Sequence, residues 1–283
     1  MPARCRIIWQ EKRSTGETKS GVSMGIQKIK ISDKDFVDQY MSFNLRHRYI
    51  ICEACLKSFD KGNWAIKKSI GVEIISQYVG MLEDTVMIYC ALKDKSEKKS
   101  FLKALYDVFI KEQDNYKYSS KEIYKELDEL EKINFNDFLK KINLPTKEEI
   151  LELADLSLID ELGGFEQTKN QYEKETAGIL KNIKEMIGNR FKTRDGESLY
   201  LVKVYNKIKH GSVFINDQTN EESIYFPIRV ENSDLEGKEV LIEAYNLICN
   251  KKESLERYVN QMKILSDDLI NLFKVFYQYN YKT

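Results

Sequence analysis

Around residue 210 lies a short run of residue types suited to phosphodiester chemistry: Lys203-Val204-Tyr205-Asn206-Lys207-Ile208-Lys209-His210-Gly211. On a helix, Asn206 and His210, four apart, share a face, and Lys203, three before Asn206, joins it. Imidazole moves protons near neutral pH. An amide can position it, and a cation can stabilise charge developing on a phosphate. The candidate catalytic set is His210, Asn206 and Lys203, with Lys207, Lys209 and Tyr205 as substrate-binding neighbours. The same spacing also suits an interfacial histidine among ordinary surface lysines, and spacing alone does not separate the two.

Two other groups of residues invite chemistry. Cys52 and Cys55, in the run CEAC, fall on one helix face and could ligate a metal. No second C-x-x-C accompanies them, whereas a closed zinc site uses four N/S ligands. Buried thiols packing as small hydrophobes are the simpler reading. Arg46-His47-Arg48 is a compact cationic run that could hold a phosphate or lie on a solvated face. Neither glycine-rich phosphate loop nor G-x-S-x-G elbow occurs. No metal and no cofactor are expected.

The composition narrows the partners. Forty-five Lys and Arg balance 45 Asp and Glu, so bulk electrostatics does not make the chain a general polyanion binder. Residues 1–30 hold seven basic and two acidic residues, a local +5. Only two residues are His, which argues against imidazole-built metal centres. No apolar stretch reaches the roughly 18 residues of a membrane span, no signal peptide is read, and five scattered cysteines suit free thiols. A cytoplasmic protein with no membrane partner is expected.

The elements that would position these residues are mostly helices. A basic N-terminal arm, weakly structured, is expected over 1–31 and a helical domain over 32–283. Ile70, Ile74, Ile75, Tyr78, Met81, Leu82, Thr85, Val86 and Tyr89 recur at three and four and mark a central core helix that contains Glu83 and Asp84. Residues 94–162 read as a helical insertion, with capping boxes at Ser119–Glu122 and Thr146–Glu149. Gly163-Gly164 breaks the chain before a long helix from Phe165 to Arg190. After a shorter helix, Leu199–His210, the segments SVFIN and SIYFPIRV alternate around a polar loop and predict a small β-hairpin. Helix is expected over Val240–Asn250 and Ser254–Tyr279. The predicted class is mainly α: a helical bundle with a helical insertion and a β-hairpin after the motif helix.

The segment YNKIKHG, residues 205–211, resembles the signature helix of the HEPN superfamily, all-helical proteins of bacterial phage defence, toxin–antitoxin and RNA-processing systems. The family motif is an Arg, a polar residue, and a His four to six residues beyond. Asn206 and His210 match the last two, and the Arg position falls on Tyr205. Aligned instead on Lys203, the polar follower becomes Val204. The resemblance covers about 64–93 and 165–280. It implies a HEPN-like bundle and, if active, a metal-independent endoribonuclease in which His210 activates the ribose hydroxyl or protonates the leaving oxygen, Asn206 positions it, and Lys203 or Lys207 stabilises the phosphorane. It also implies RNA as a partner and a homodimer with two motif helices facing one cleft. Loss of the Arg points to weak ribonuclease activity or none. The rival readings are a non-catalytic protein–protein interaction module that docks a partner through Phe273, Phe276, Tyr277, Tyr279 and Tyr281, and a small metal- or ligand-binding protein using Cys52 and Cys55.

Overall fold

The computed structural model describes residues 32, 35, 45–93, 120–153, 156–189, 201, 205, 208, 209, 223–227, 242–246 and 251–281. Among them are seven α-helices: α1 (Leu45–Phe59), α2 (Trp64–Lys93), α3 (Ser120–Lys132), α4 (Phe135–Lys141), α5 (Leu156–Glu161), α6 (Phe165–Asn189) and α7 (Lys252–Tyr281). The protein is a helical bundle.

α2 is its axis. The apolar pattern read from the sequence runs nearly all the way round this helix, and Ile74, Tyr78, Val79, Met81, Leu82 and Val86 are all buried. A helix buried on every side needs neighbours on every side. α1, α7 and α3 pack against it, and α6 packs on α3 and α7 and reaches α2 through the Tyr78 hydroxyl. α1 and α7 run antiparallel. Ser266 Oγ donates to the Leu45 carbonyl at one end of the pair, and Lys252 meets Asp60 at the other. Residues 127–144 supply Leu127, Leu130, Phe138, Leu139, Ile142 and Leu144 to the same apolar cluster as α2, α6 and α7.

Local signals set the helix ends. Asn63 caps α2, its Oδ1 accepting from the Ile66 N–H at 3.0 Å, and Asn134 caps α4 through the Asp137 N–H at 2.9 Å. The capping box at Thr146 forms, with the Thr146 N–H donating to Glu149 Oε2 at 2.8 Å. It opens a short 3-10 turn, Glu149–Glu152, rather than an α-helix. Two helices end in Schellman motifs. After α4, Leu144 N–H reaches the Leu139 carbonyl at 3.0 Å, with Asn143 at φ 52°. After α5, Gly164 N–H reaches Ile159 O at 2.8 Å and Gly163 N–H reaches Asp160 O at 3.1 Å, with Gly163 at φ 89°.

An L-residue is strained at that φ. Gly163→Ala should therefore lower stability by about 1–2 kcal/mol. Gly178→Ala, in the middle of α6 where an added Cβ meets nothing within 4 Å, should raise it by up to about 1 kcal/mol. Urea titration of both variants checks the opposite signs. Equal shifts would sink the assignment.

The β-hairpin predicted directly after the motif helix requires correction. Strand β1 (Ser223–Pro227) falls within the expected second strand, but its antiparallel partner is β2 (Ile242–Asn246), in the register Ser223↔Asn246 to Pro227↔Ile242. The expected first strand, SVFIN, lies outside the described residues. The helix expected over Val240–Asn250 gives way to β2. Helix propensity is a weak prior, and a strand partner remote in sequence overrides it by pairing the backbone groups. Pro227, which has no N–H, stands at the last pair of the ladder, where a missing donor costs least.

Candidate functional site

Glu83 and Asp84 are adjacent carboxylates in the mostly apolar α2, with side chains only 13% and 19% exposed. Carboxylates this buried need partners, and each finds one on a different element. Asp84 Oδ2 accepts from Arg48 Nε of α1 at 2.7 Å. The same guanidinium donates through Nη1 to Gln77 Oε1 at 2.9 Å, and Gln77 Nε2 donates to Glu73 Oε1 at 2.7 Å. Glu83 Oε2 accepts from the Tyr205 hydroxyl at 3.1 Å and from Lys209 Nζ at 3.3 Å. Lys209 Nζ also lies 5.3 Å from the centroid of the Tyr205 ring. Arg48 and Lys209 thus face two carboxylates along a polar seam on the side of the core helix.

Gly80 makes room for the guanidinium. A Cβ on Gly80 would stand 2.3 Å from Arg48 Nη1 and 2.7 Å from Cζ, so the arginine occupies the space a side chain would take. Burial first, and then the Glu83 charge, pushes the Tyr205 hydroxyl well above its ordinary pKa. Tyr205 is therefore a hydrogen-bond donor at neutral pH, neither base nor nucleophile.

Of the six residues read from the motif, Tyr205 and Lys209 are described, and both converge on Glu83. Lys203, Asn206, Lys207 and His210 lie outside the described residues. Leu201 and Tyr205 are buried and Ile208 packs against the core, so these three mark the inward face of the motif segment.

Sequence reasoning named Glu83 and Asp84 but missed Arg48, Gln77 and Gly80 as their setting. The usable signal was the pair of acids inside an apolar run, since buried charge implies a partner. The cationic run at 46–48 is not an open patch: Arg46 pairs with Asp267 at 2.9 Å and Arg48 with Asp84.

The cysteines take the bland reading. Cys52 is fully buried, and burial, with Cys55 beside it, pushes its thiol up to about 12. Burial, then Glu73, also raises Cys55. Protonated thiols are poor metal ligands, and no group of three His, Cys, Asp or Glu suited to a metal occurs among the described residues. The C-terminal aromatic stripe is largely used internally. Phe273 and Phe276 are buried, Tyr277 packs on the core, and Tyr279 hydrogen-bonds Glu149. No described helix is long and apolar enough to cross a membrane.

No protein-family model, curated protein or solved structure gives a significant match to the chain.

Proposed function

We propose that the chain is a HEPN-like, RNA-associated protein of the defence or toxin–antitoxin kind, with weak metal-independent endoribonuclease activity or none, acting as a homodimer through its motif helices. The observation that carries this is the anchoring of the motif segment: Tyr205 and Lys209 both bond the core carboxylate Glu83. Leu201, Tyr205 and Ile208 turn inward, while Lys203, Asn206 and His210, spaced in the sequence for one helix face, lie outside the described residues. A histidine, an amide and a lysine at that spacing suit a phosphodiester. Tyr205 in the arginine position favours low activity, because lysine lacks the bidentate guanidinium fork for phosphate.

Purified protein incubated with RNA in EDTA should cut it slowly, and His210→Ala should slow cutting by about 100-fold or more. Asn206→Ala should lower the rate less. Clean wild-type protein that leaves RNA intact yet still binds it would leave a non-catalytic binding module. Protein that neither binds nor cuts RNA overturns the reading. Light scattering tests the dimer.

A further inference from the structure

The corner between α1 and α2 gathers positive charge. Residues 56–69 hold Lys57, Lys61, Lys67 and Lys68 against one acid, Asp60, in a chain of zero net charge. Asp60 is already engaged by Lys252 of α7. The rest of that end of α7 is balanced, with Lys251 and Arg257 set against Glu253 and Glu256. Lys57 and Lys61 are exposed and Lys67 partly so. None of the three has a carboxylate at ion-pair distance among the described residues.

Helix chemistry sharpens the contrast. α2 has no acid in its first turn, so Lys67 adds its charge to the positive end of a 30-residue helix. That placement works against local stability, and an anion would relieve it.

The turn at this corner is tight. Gly62 N–H donates to Phe59 O at 3.2 Å, and a Cβ on Gly62 would stand 2.6 Å from Ile66 Cγ2. Aromatic rings are interleaved with the charges. Lys67 Nζ lies 5.6 Å from the Phe59 centroid, and Lys68 Nζ lies 5.6 Å from the centroid of Trp64, which is partly exposed.

We infer that this corner is a second, non-catalytic binding site for the phosphodiester backbone of single-stranded RNA, with Lys57, Lys61 and Lys67 on phosphates and Trp64 against a base. A single strand offers phosphates and base faces together, which suits lysines beside a partly exposed indole. A bilayer surface calls for a broad basic face, and only a 14-residue stretch of chain is basic here. The choice of RNA rests on the function proposed above; the site itself stands on the charge and ring geometry.

The test uses the full chain and a labelled oligouridine of about 20 nucleotides, followed by anisotropy across salt concentrations. Lys57→Glu/Lys61→Glu/Lys67→Glu should bind at least tenfold more weakly, and the slope of log K against log salt should flatten by about 2. A control triple with the same charge change, Lys140→Glu/Lys174→Glu/Lys274→Glu, should bind within threefold of wild type. In a Trp9→Phe background, which leaves Trp64 as the single tryptophan, bound RNA should quench the emission. Equal weakening by the two triples, wild-type affinity in the corner triple, or RNA bound without quenching would each overturn the site. So would capture by phosphatidylserine vesicles with no RNA binding. Loss of RNA binding in Lys203→Glu/Lys207→Glu, with the corner triple unaffected, would overturn the corner and leave the motif reading standing. The opposite pattern, binding lost in the corner triple and kept in Lys203→Glu/Lys207→Glu with no cleavage in EDTA, would leave the corner standing and overturn the motif reading.

Discussion

Tyr78→Ala should cost about 4 kcal/mol of stability, within the range for removing a buried aromatic side chain. The ring is fully buried in the middle of α2. Its edge meets Tyr258 of α7 at a centroid distance of 4.8 Å. Its hydroxyl, 3.1 Å from the Met186 carbonyl of α6 and 3.0 Å from Gln261 Oε1 of α7, links three long helices at one atom. Alanine removes the packing and leaves a cavity that rigid helices close poorly. Tyr78→Phe keeps the ring and removes the one proton the two acceptors share, so about 1–2 kcal/mol is expected. Urea denaturation of both variants separates packing from hydrogen bonding. If Phe costs as much as Ala, the hydroxyl is the main contributor. If both cost under about 1 kcal/mol, the three-helix junction is not where α2 draws its stability.

The second large effect concerns Arg48. Arg48→Ala leaves Asp84 without its guanidinium partner in a site where both side chains are about one-fifth exposed. Breaking a fully buried pair costs about 3–5 kcal/mol, and partial exposure reduces that to about 2. Arg48→Ala/Asp84→Asn should recover part of the loss, giving a coupling energy of about 1 kcal/mol or more in a double-mutant cycle. Arg48→Lys should rescue only in part, because an ammonium lacks the fork that spans Asp84 and Gln77.

Gly80 supplies the more discriminating measurement. Alanine is about 1 kcal/mol better than glycine inside a helix, but the Gly80 Cβ would displace the guanidinium. Gly80→Ala should therefore destabilise the wild-type protein and stabilise Arg48→Ala. The same sign in both backgrounds would show that Arg48 moves aside at no cost.

Much of the bundle was legible because helix signals are local. The three-and-four apolar recurrence from Ile70 to Tyr89 marked the central helix, and Gly163-Gly164 marked a helix stop. Thr146 and Glu149 announced their capping box, although which helix type followed was decided by packing. β1 was read nearly in place, yet its partner was not, since pairing between strands remote in sequence leaves no local trace. The site was half legible for the same reason. Residues 203–210 lie on one short segment, so their spacing showed at once. The carboxylate that holds Tyr205 is 122 residues away, and Arg48 is 36 residues from Asp84.

By itself, then, the sequence determined the helical class, the central helix, the Thr146 capping box and the Gly163-Gly164 stop, because each depends on contacts within a few residues. Only the tertiary structure decided that Arg46 and Arg48 are neutralised, that Cys52 is an inert buried thiol, and that Tyr205 and Lys209 grip Glu83. It also decided that Lys252 takes Asp60, leaving Lys57, Lys61 and Lys67 without a counter-charge among the described residues. Which charges cancel and which are left over depends on the partners that folding brings together, and those partners lie far apart along the chain.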